Sequence, residues 1–499
     1  MTESFKDYLK TYQGILKNLF TDQDSPEEAE QQRGIPQKVL DEIEVLSPSA
    51  VSIPEAYGGK GSKPVEILSL LESTSYESLP LSLILGINGA LFLEPLAKYG
   101  EEKLKKETFG IFLKNNSLGG LMITEPGYGT DALAMKTSWE KRSGGYAIAG
   151  EKHWAGLSGR ADYWLMTARE KKGPSELKRD IDFFICDSSD PRQYVKPIET
   201  FSNLGLYMIP YALNQVDVEV PFHHRLIPQK SGIRLMQDLL HRSRMRFSGM
   251  ATGFIHRMLD EAVRHTEQRM VSGKSLFSYD QVQKRLSDLQ ADFTISSAFC
   301  RHAAGISSIE NDLSGKSLEA NIHKTVLSDM MQNASQSLLQ LVGAKGYKLS
   351  HIAGRSVVDS RPFQIFEGSN DVIYQQVADQ FIKHMNLMKN FNMSSALKTH
   401  PLTSKIAERM KRMTGFSINP DMAQRKKVDF GRILGRITSL EWTLDLGLGG
   451  YDPALINQAL ESMTERIQSL LGSFQGGNRA CYIPYEQRNA NLWRETVPS

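Results

Sequence analysis

The chain has 499 residues, of which 40% are hydrophobic and 23% charged, with a net charge of +2. That length supports roughly two to four domains with ample core, and the near balance of charge forces neither nucleic-acid nor membrane binding. Cys186, Cys300 and Cys481 are far apart and odd in number, so neither a disulfide framework nor a zinc site is expected and a reducing, cytoplasmic location fits. The segment Met1–Asp7 mixes charges and has no apolar stretch, so no signal peptide is expected. No apolar run approaches the roughly 20 residues of a membrane-spanning helix.

Residues 1–118 read as a helical domain. Apolar positions recur at helical spacing over 64–72 and 83–98, with Gly58-Gly59 and Gly100 as breaks. The pattern changes near 119. Tyr163–Ala168, Asp182–Cys186 and Val216–Val220 read as strands, the last in strict alternation, with turn-rich segments such as Lys171-Lys172-Gly173-Pro174 between them. Residues 119–229 are therefore a small β domain. Helical periodicity returns near 232. Val282, Leu286, Leu289 and Phe293 share one face, as do Ile322, Val326, Met330 and, further on, Leu341. A helical bundle over 230–388 follows. Residues 389–499 form an extension with helices expected near 402–413, 421–443 and 453–471.

One short stretch stands out for chemistry. Gln364-Ile365-Phe366-Glu367-Gly368-Ser369-Asn370-Asp371 sets a single carboxylate in an apolar run. Desolvation raises the pKa of such a glutamate, which suits it to draw a proton from a weakly acidic C–H bond. A buried or capping glutamate without chemistry is the alternative reading of these eight residues alone.

Further stretches occur with it. Ile53-Pro54-Glu55-Ala56-Tyr57-Gly58-Gly59-Lys60-Gly61 lies in the N-terminal helical region; Thr124-Glu125-Pro126-Gly127-Tyr128-Gly129-Thr130-Asp131 and Gly150-Glu151-Lys152-His153-Trp154 lie in the β domain. Arg269 with Gly273-Lys274, and Val342-Gly343-Ala344-Lys345-Gly346-Tyr347 ahead of Glu367-Gly368-Ser369, lie in the bundle. In this order the motifs resemble those of the acyl-CoA dehydrogenase family across about two-thirds of the chain. The resemblance implies a mainly α fold with a central β domain: an N-terminal helical domain, a small β-barrel, a C-terminal four-helix bundle and, here, a helical C-terminal extension.

It also implies FAD as cofactor, Glu367 as base and an acyl thioester as substrate, with α-proton abstraction by Glu367 and hydride transfer to the flavin. Thr124, Gly129 and Thr130 resemble the loop that holds the flavin and pyrophosphate, and Trp154 the ring beside it. Gly343, Ser369 and Asp371 fall in the closing flavin signature. Gly156 departs from the family, which mostly has a small hydroxyl residue there, and Ser158 is a candidate substitute. Arg269 resembles the arginine that reaches the FAD of a neighbouring subunit, implying a homodimer or homotetramer. Arg244 matches an arginine near the thioester, with Ser243, Phe247, Phe366 and Gly368 as substrate-side neighbours. Where one branch of the family carries its base one residue before this arginine, this chain has Ser243, which favours Glu367. His241 reads as structural. An electron-transfer flavoprotein is the implied acceptor; the alternatives are an acyl-CoA oxidase using oxygen and a low-turnover flavin-bound protein whose basic C-terminal region binds a macromolecule.

The extension is basic. Between Lys405 and Arg436 it holds Arg409, Lys411, Arg412, Arg425, Lys426, Lys427 and Arg432, opposed by Glu408, Asp421 and Asp429. A solvated helical face is one reading. The others are a membrane surface or an acidic acyl-carrier protein. Nucleic acid ranks last, because no aromatic residues are interleaved.

Overall fold

The computed structural model describes residues 2–21, 33–115, 117–173 and 176–476, together with Tyr482. Met1, Pro174 and Cys481 lie outside the described residues. The first region is helical: α1 (Glu3–Phe20), α2 (Gln37–Glu44), α3 (Pro64–Glu77), α4 (Leu79–Asn88), α5 (Glu94–Tyr99) and α6 (Glu102–Asn115). The single helix expected over 83–98 is interrupted by one wider π turn at Gly89–Leu93. Pro95 accounts for it: lacking an N–H and crowding the carbonyl four residues back, it forces the helical ladder to rearrange just before it.

Leu79–Tyr99 also corrects an expectation. By length and composition it is apolar enough to cross a membrane, with a mean hydropathy of 1.6. Yet 94% of that window is buried inside the fold; Leu81, Ile84, Phe92 and Leu93 are fully enclosed. An all-round apolar helix is what a protein interior selects as well.

Seven strands follow: β1 (Gly119–Met122), β2 (Ser138–Lys141), β3 (Gly145–Gly156), β4 (Tyr163–Glu170), β5 (Asp182–Asp187), β6 (Lys196–Thr200) and β7 (Tyr211–Pro221). They form one curled sheet in the order β1-β4-β2-β3-β7-β6, with β5 also paired to β4. Strand β4 pairs in parallel with β1 through its first half and with β2 through its last residues. The alternation read in β7 is real: Val216, Val218 and Val220 are buried while Asp217 and Glu219 face out. Between β3 and β7 the register slips at His153/Ala155. Trp154 is the extra residue of this bulge.

The bundle comprises α7 (Gly232–Gln268), α8 (Asp280–Ile306), α9 (Ser317–Val342), α10 (Ile352–Ser360) and α11 (Asn370–Met388). A two-stranded hairpin, β8 (Met270–Val271) with β9 (Lys274–Ser275), links α7 to α8. Val282, Leu286, Leu289, Ile322, Val326 and Met330 are buried as the periodicity required. Phe293 is half-buried and stacks on His256 instead, and Leu341 is half-buried.

The extension contains α12 (Met393–Thr399), α13 (Ala407–Met410), α14 (Gln424–Leu448) and α15 (Pro453–Gly476). The helix expected over 402–413 shrinks to α13. The Glu441 carboxylate of α14 accepts the Ile406 and Lys405 N–H groups at 2.9 and 3.2 Å, pinning the chain as it enters that short helix. The extension is a second layer on the bundle and shares its core. Phe430, Ile433, Leu434, Ile437, Leu440 and Trp442 belong to one buried cluster with Phe299, Val326, Val377 and Phe381. At the crossing of α14 and α11 a Cβ on Gly431 would lie 1.9 Å from the Tyr374 carbonyl oxygen, so only glycine allows the two backbones to meet there.

This docking engages most of the basic stretch. Lys427 pairs with Asp379, Arg432 with Asp371 and Arg436 with Asp329, all on the bundle. Lys405 pairs with Asp445, Lys411 with Glu408, and Lys426 bonds the Phe474 carbonyl. Arg409 and Arg412 make no hydrogen bond or ion pair among the described residues. The basic residues therefore do not form one continuous outward face. Acidic groups that lie elsewhere in the sequence neutralise Lys405, Lys427, Arg432 and Arg436.

Candidate active site

Glu367 sits in the turn between the 3-10 segment Arg361–Gln364 and α11. Its backbone is left-handed, with φ +54, and Gly368 follows at φ +96. A non-glycine residue held there is strained, and such strain persists only where the surroundings enforce it. Ser243 Oγ donates to Glu367 Oε1 at 2.6 Å, and Arg244 Nη2 donates to the Glu367 carbonyl at 2.6 Å. Arg244 Nε stands 3.6 Å from Oε2. Both Oε2 and Arg244 Nε are buried without a hydrogen-bond partner. The carboxyl thus has one oxygen satisfied and one available. Burial raises its pKa above the ordinary glutamate value, and Arg244, Ser243 and Lys324 oppose that rise.

Helix α7 explains the arrangement. Arg242 and Arg246, four residues apart, share a face and both approach Glu94. Arg244, between them, faces the opposite way toward Glu367 and Asn321. Phe247 packs on Phe363, which packs on Phe366 at 4.9 Å, an aromatic row beside the glutamate turn. His241 Nδ1 lies 2.7 Å from the Leu313 carbonyl and is buried, which brings its pKa down to about 4. That contact ties the ring to the segment between α8 and α9.

Sequence reasoning missed Lys324. Its ammonium donates to the Gly368 carbonyl and to Asn370 Oδ1, each at 2.7 Å. Burial, then Arg244, brings its pKa down to about 7. The signal was present in outline: Asn321, Lys324 and Ser328 put polar groups at helical spacing on a helix that is otherwise buried.

The β-domain motifs are held by a separate set of contacts. The two β-domain motifs meet through a buried ion pair, Glu125 with Lys152 at 2.9 Å, their side chains 4% and 0% exposed. Glu125 also accepts the Lys136 and Thr137 N–H groups. Burial works against its ionised form, yet Lys152 and these donors hold the carboxyl below its usual range. Burial pushes Lys152 down to about 8. The Thr124 carbonyl accepts from His153 N–H at 2.8 Å, so the glycine-rich loop is fixed against β3. Within that loop a Cβ on Gly127 or Gly129 would meet nothing within 4 Å, and Thr130 is exposed. At the bulge Trp154 has φ +58 and is 50% exposed, its ring tilted 4.5 Å from Phe201. An open loop beside a large exposed indole, on a backbone strained to present it, suits a planar aromatic ligand with an anionic tail.

The sequence matches the acyl-CoA dehydrogenase N-terminal domain over residues 13–113, the middle domain over 120–216 and the C-terminal domain over 230–382. This chain belongs to the acyl-CoA dehydrogenase family. It is thereby an oxidoreductase of that class. An acyl-CoA dehydrogenase of Bacillus subtilis is 26% identical over 327 residues, covering 64% of this chain and 83% of the relative. The fold of butyryl-CoA dehydrogenase from Megasphaera elsdenii matches with a TM-score of 0.68 at 22% identity, over 77% of this chain and 99% of that one. An acyl-CoA dehydrogenase from Bacillus anthracis, solved with FAD, matches with a TM-score of 0.74 at 18% identity, over 95% of this chain and 87% of that one. That last match takes in the extension.

Some family positions behave differently from expectation. The Ser158 hydroxyl is engaged within the sheet rather than left free. Its Oγ is buried, donates to the Ala155 carbonyl at 2.8 Å and accepts from Asn214. A Cβ on Gly156 would itself come within 3.0 Å of Ile87 Cδ1, so packing from α4 crowds the position. Asp371 meets Arg432 of the extension at 2.8 Å, a partner that lies beyond the matched C-terminal domain, which ends at residue 382. Ser369 is the N-cap residue of α11 but makes no side-chain cap bond. Gly343 ends α9 with φ +71 in open space. Arg269 ends α7, about 37 Å along the helix from Arg244 at 1.5 Å per residue. It is exposed, and its guanidinium makes no hydrogen bond or ion pair among the described residues.

Proposed function

We propose that this protein is an FAD-dependent dehydrogenase of acyl thioesters, acyl-CoA foremost, with Glu367 as the base that removes the α-proton and a trans-2-enoyl thioester as product. The observation that carries the reading is the Glu367 carboxyl: buried, raised in pKa, one oxygen held by Ser243 and the other without a hydrogen-bond partner. A carboxylate so placed is basic enough to take a proton and has a free oxygen to take it with. Bound FAD would accept the β-hydrogen as hydride. Arg244 and Ser243 then orient Glu367, and the Phe247–Phe363–Phe366 row excludes water from its apolar side.

Thr124, Gly129, Thr130 and Trp154 would hold the flavin and its phosphates, with Arg269 supplied by a neighbouring copy. A guanidinium so far along α7 from the base, without a partner among the described residues, fits a phosphate of the next subunit's cofactor. The acceptor of the electrons is proposed to be an electron-transfer flavoprotein, and the location cytoplasmic.

The test is anaerobic titration of the purified flavoprotein with acyl-CoAs, for the natural protein and for Glu367→Gln. The natural protein should lose its flavin absorbance. The variant should bind FAD normally and bleach slower by more than the roughly 10²–10⁴-fold typical of general-base catalysis. Near-normal bleaching by Glu367→Gln would refute the assignment.

A further inference from the structure

We propose that the C-terminal extension is a working part of the active site: Arg436, through Asp329, Asn370 and Lys324, holds the Glu367–Gly368 turn in its left-handed form, so that Arg436 and Lys324 are positioning residues for the base. The inference rests on Glu367 being that base.

Two consecutive residues with positive φ do not hold themselves in place. Lys324 Nζ holds the turn by the Gly368 carbonyl, and also binds Asn370 Oδ1. Asn370 Nδ2 in turn donates to Asp329 Oδ1 at 2.8 Å. Gln364, on the other side of the turn, donates to that same oxygen at 2.8 Å. Both flanks of the glutamate turn therefore hang from one carboxylate. The second oxygen of Asp329 accepts from Tyr374 OH at 2.7 Å and from Arg436 Nη2 at 3.4 Å.

Asp329 and Arg436 are 17% and 14% exposed, so the carboxylate relies on protein groups more than on water. Every other hydrogen-bonding member named here lies within 324–374; among the described residues Arg436 alone brings a donor to Asp329 from the extension, while Arg432 lies over the Tyr374 ring. Removing its charge leaves Asp329 under-compensated in a shielded place. Lys324, whose ammonium already interacts with Asp329, is then drawn away from Gly368. The charged groups facing Lys324 are Arg244 of α7, Glu367 of the turn, Asp329 of its own helix and Arg361 of the 3-10 segment.

The experiment uses full-length, FAD-loaded enzyme and compares Arg436→Met, Arg436→Lys, Lys324→Met, Lys427→Met and Glu367→Gln. Turnover with a saturating acyl-CoA, the pH profile of kcat/KM and hydrogen exchange of a peptide over 361–372 are measured. Arg436→Met should lower kcat about 10–100-fold, the scale of a small misplacement of a reacting group. KM should change less, and exchange in the peptide should quicken. Arg436→Lys should restore most of both. Lys324→Met should also move the acid limb of kcat/KM to higher pH, because the lost cation favoured the Glu367 carboxylate. Lys427→Met removes an ion pair of the same α14–α11 interface outside the network, and should leave kcat and exchange unchanged. Equal losses in Arg436→Met and Lys427→Met would reduce the effect to docking and overturn the inference. So would natural turnover and exchange in Arg436→Met and Lys324→Met while Glu367→Gln is inactive, a result that leaves the base in place. An active Glu367→Gln would remove the base, and the inference with it.

Discussion

Lys152→Met tests how the two β-domain motifs are held together. The ammonium it removes is fully buried, 2.9 Å from Glu125 Oε1 and 3.1 Å from Thr167 Oγ1. The carboxylate left behind is 4% exposed and, among the described residues, keeps the Lys136 and Thr137 N–H donors alone. Breaking a buried pair from one side costs about 3–5 kcal/mol, because a charge is stranded. At 1.36 kcal/mol per factor of ten, that is roughly two to three and a half orders of magnitude in local opening. Hydrogen exchange of peptides over β3 and β4 reads it directly. The loss should be greater at about pH 8 than at about pH 5. Without Lys152 the desolvated carboxyl titrates above its unfolded value, so its protonation stabilises the folded state as pH falls. Glu125→Gln/Lys152→Met, which strands no charge, should recover most of the protection. Unchanged exchange in Lys152→Met, or a double variant as weak as the sum of the singles, would show that the pair is not coupled.

Other outcomes follow from the same geometry. Gly431→Ala places a Cβ against the Tyr374 carbonyl, so α14 should lift from α11 at a cost of about 1–3 kcal/mol, seen as faster tryptic cleavage within 389–476; an unchanged digest would contradict the close approach. Ser243→Ala removes a donor that favours ionised Glu367, so the acid limb of kcat/KM should move to higher pH with little change at alkaline pH; a shift the other way refutes the contact. His241, His302 and His400 are each brought down to about 4, chiefly by burial, from an ordinary 6.5. The unfolded chain takes up those protons first, so the melting temperature should fall as pH drops from about 6.5 to about 4. His302→Phe should flatten that fall.

The sequence by itself determined the order of helical, β and helical regions, the faces of α8 and α9, and the strand alternation of β7. Each of these is local: a periodicity of 3.6 or 2 shows which side of an element avoids water. It also pointed to Glu367, because an isolated carboxylate among apolar residues is legible within eight positions. Ser243 entered as a position emptied of its acid, and only the structure shows it donating to the glutamate across 124 positions of chain. Burial of charge was not legible. Lys324, Lys152 and Arg246 are of types that usually meet solvent, and the spacing of the extension's cations did not reveal their partners. Whether a charge meets solvent or a partner depends on which distant segment packs over it, and Asp329 meets Arg436 across 107 positions. The same holds for backbone strain: the left-handed turn at Glu367 and the bulge at Trp154 exist because contacts made far along the chain hold them, and no residue type announces them.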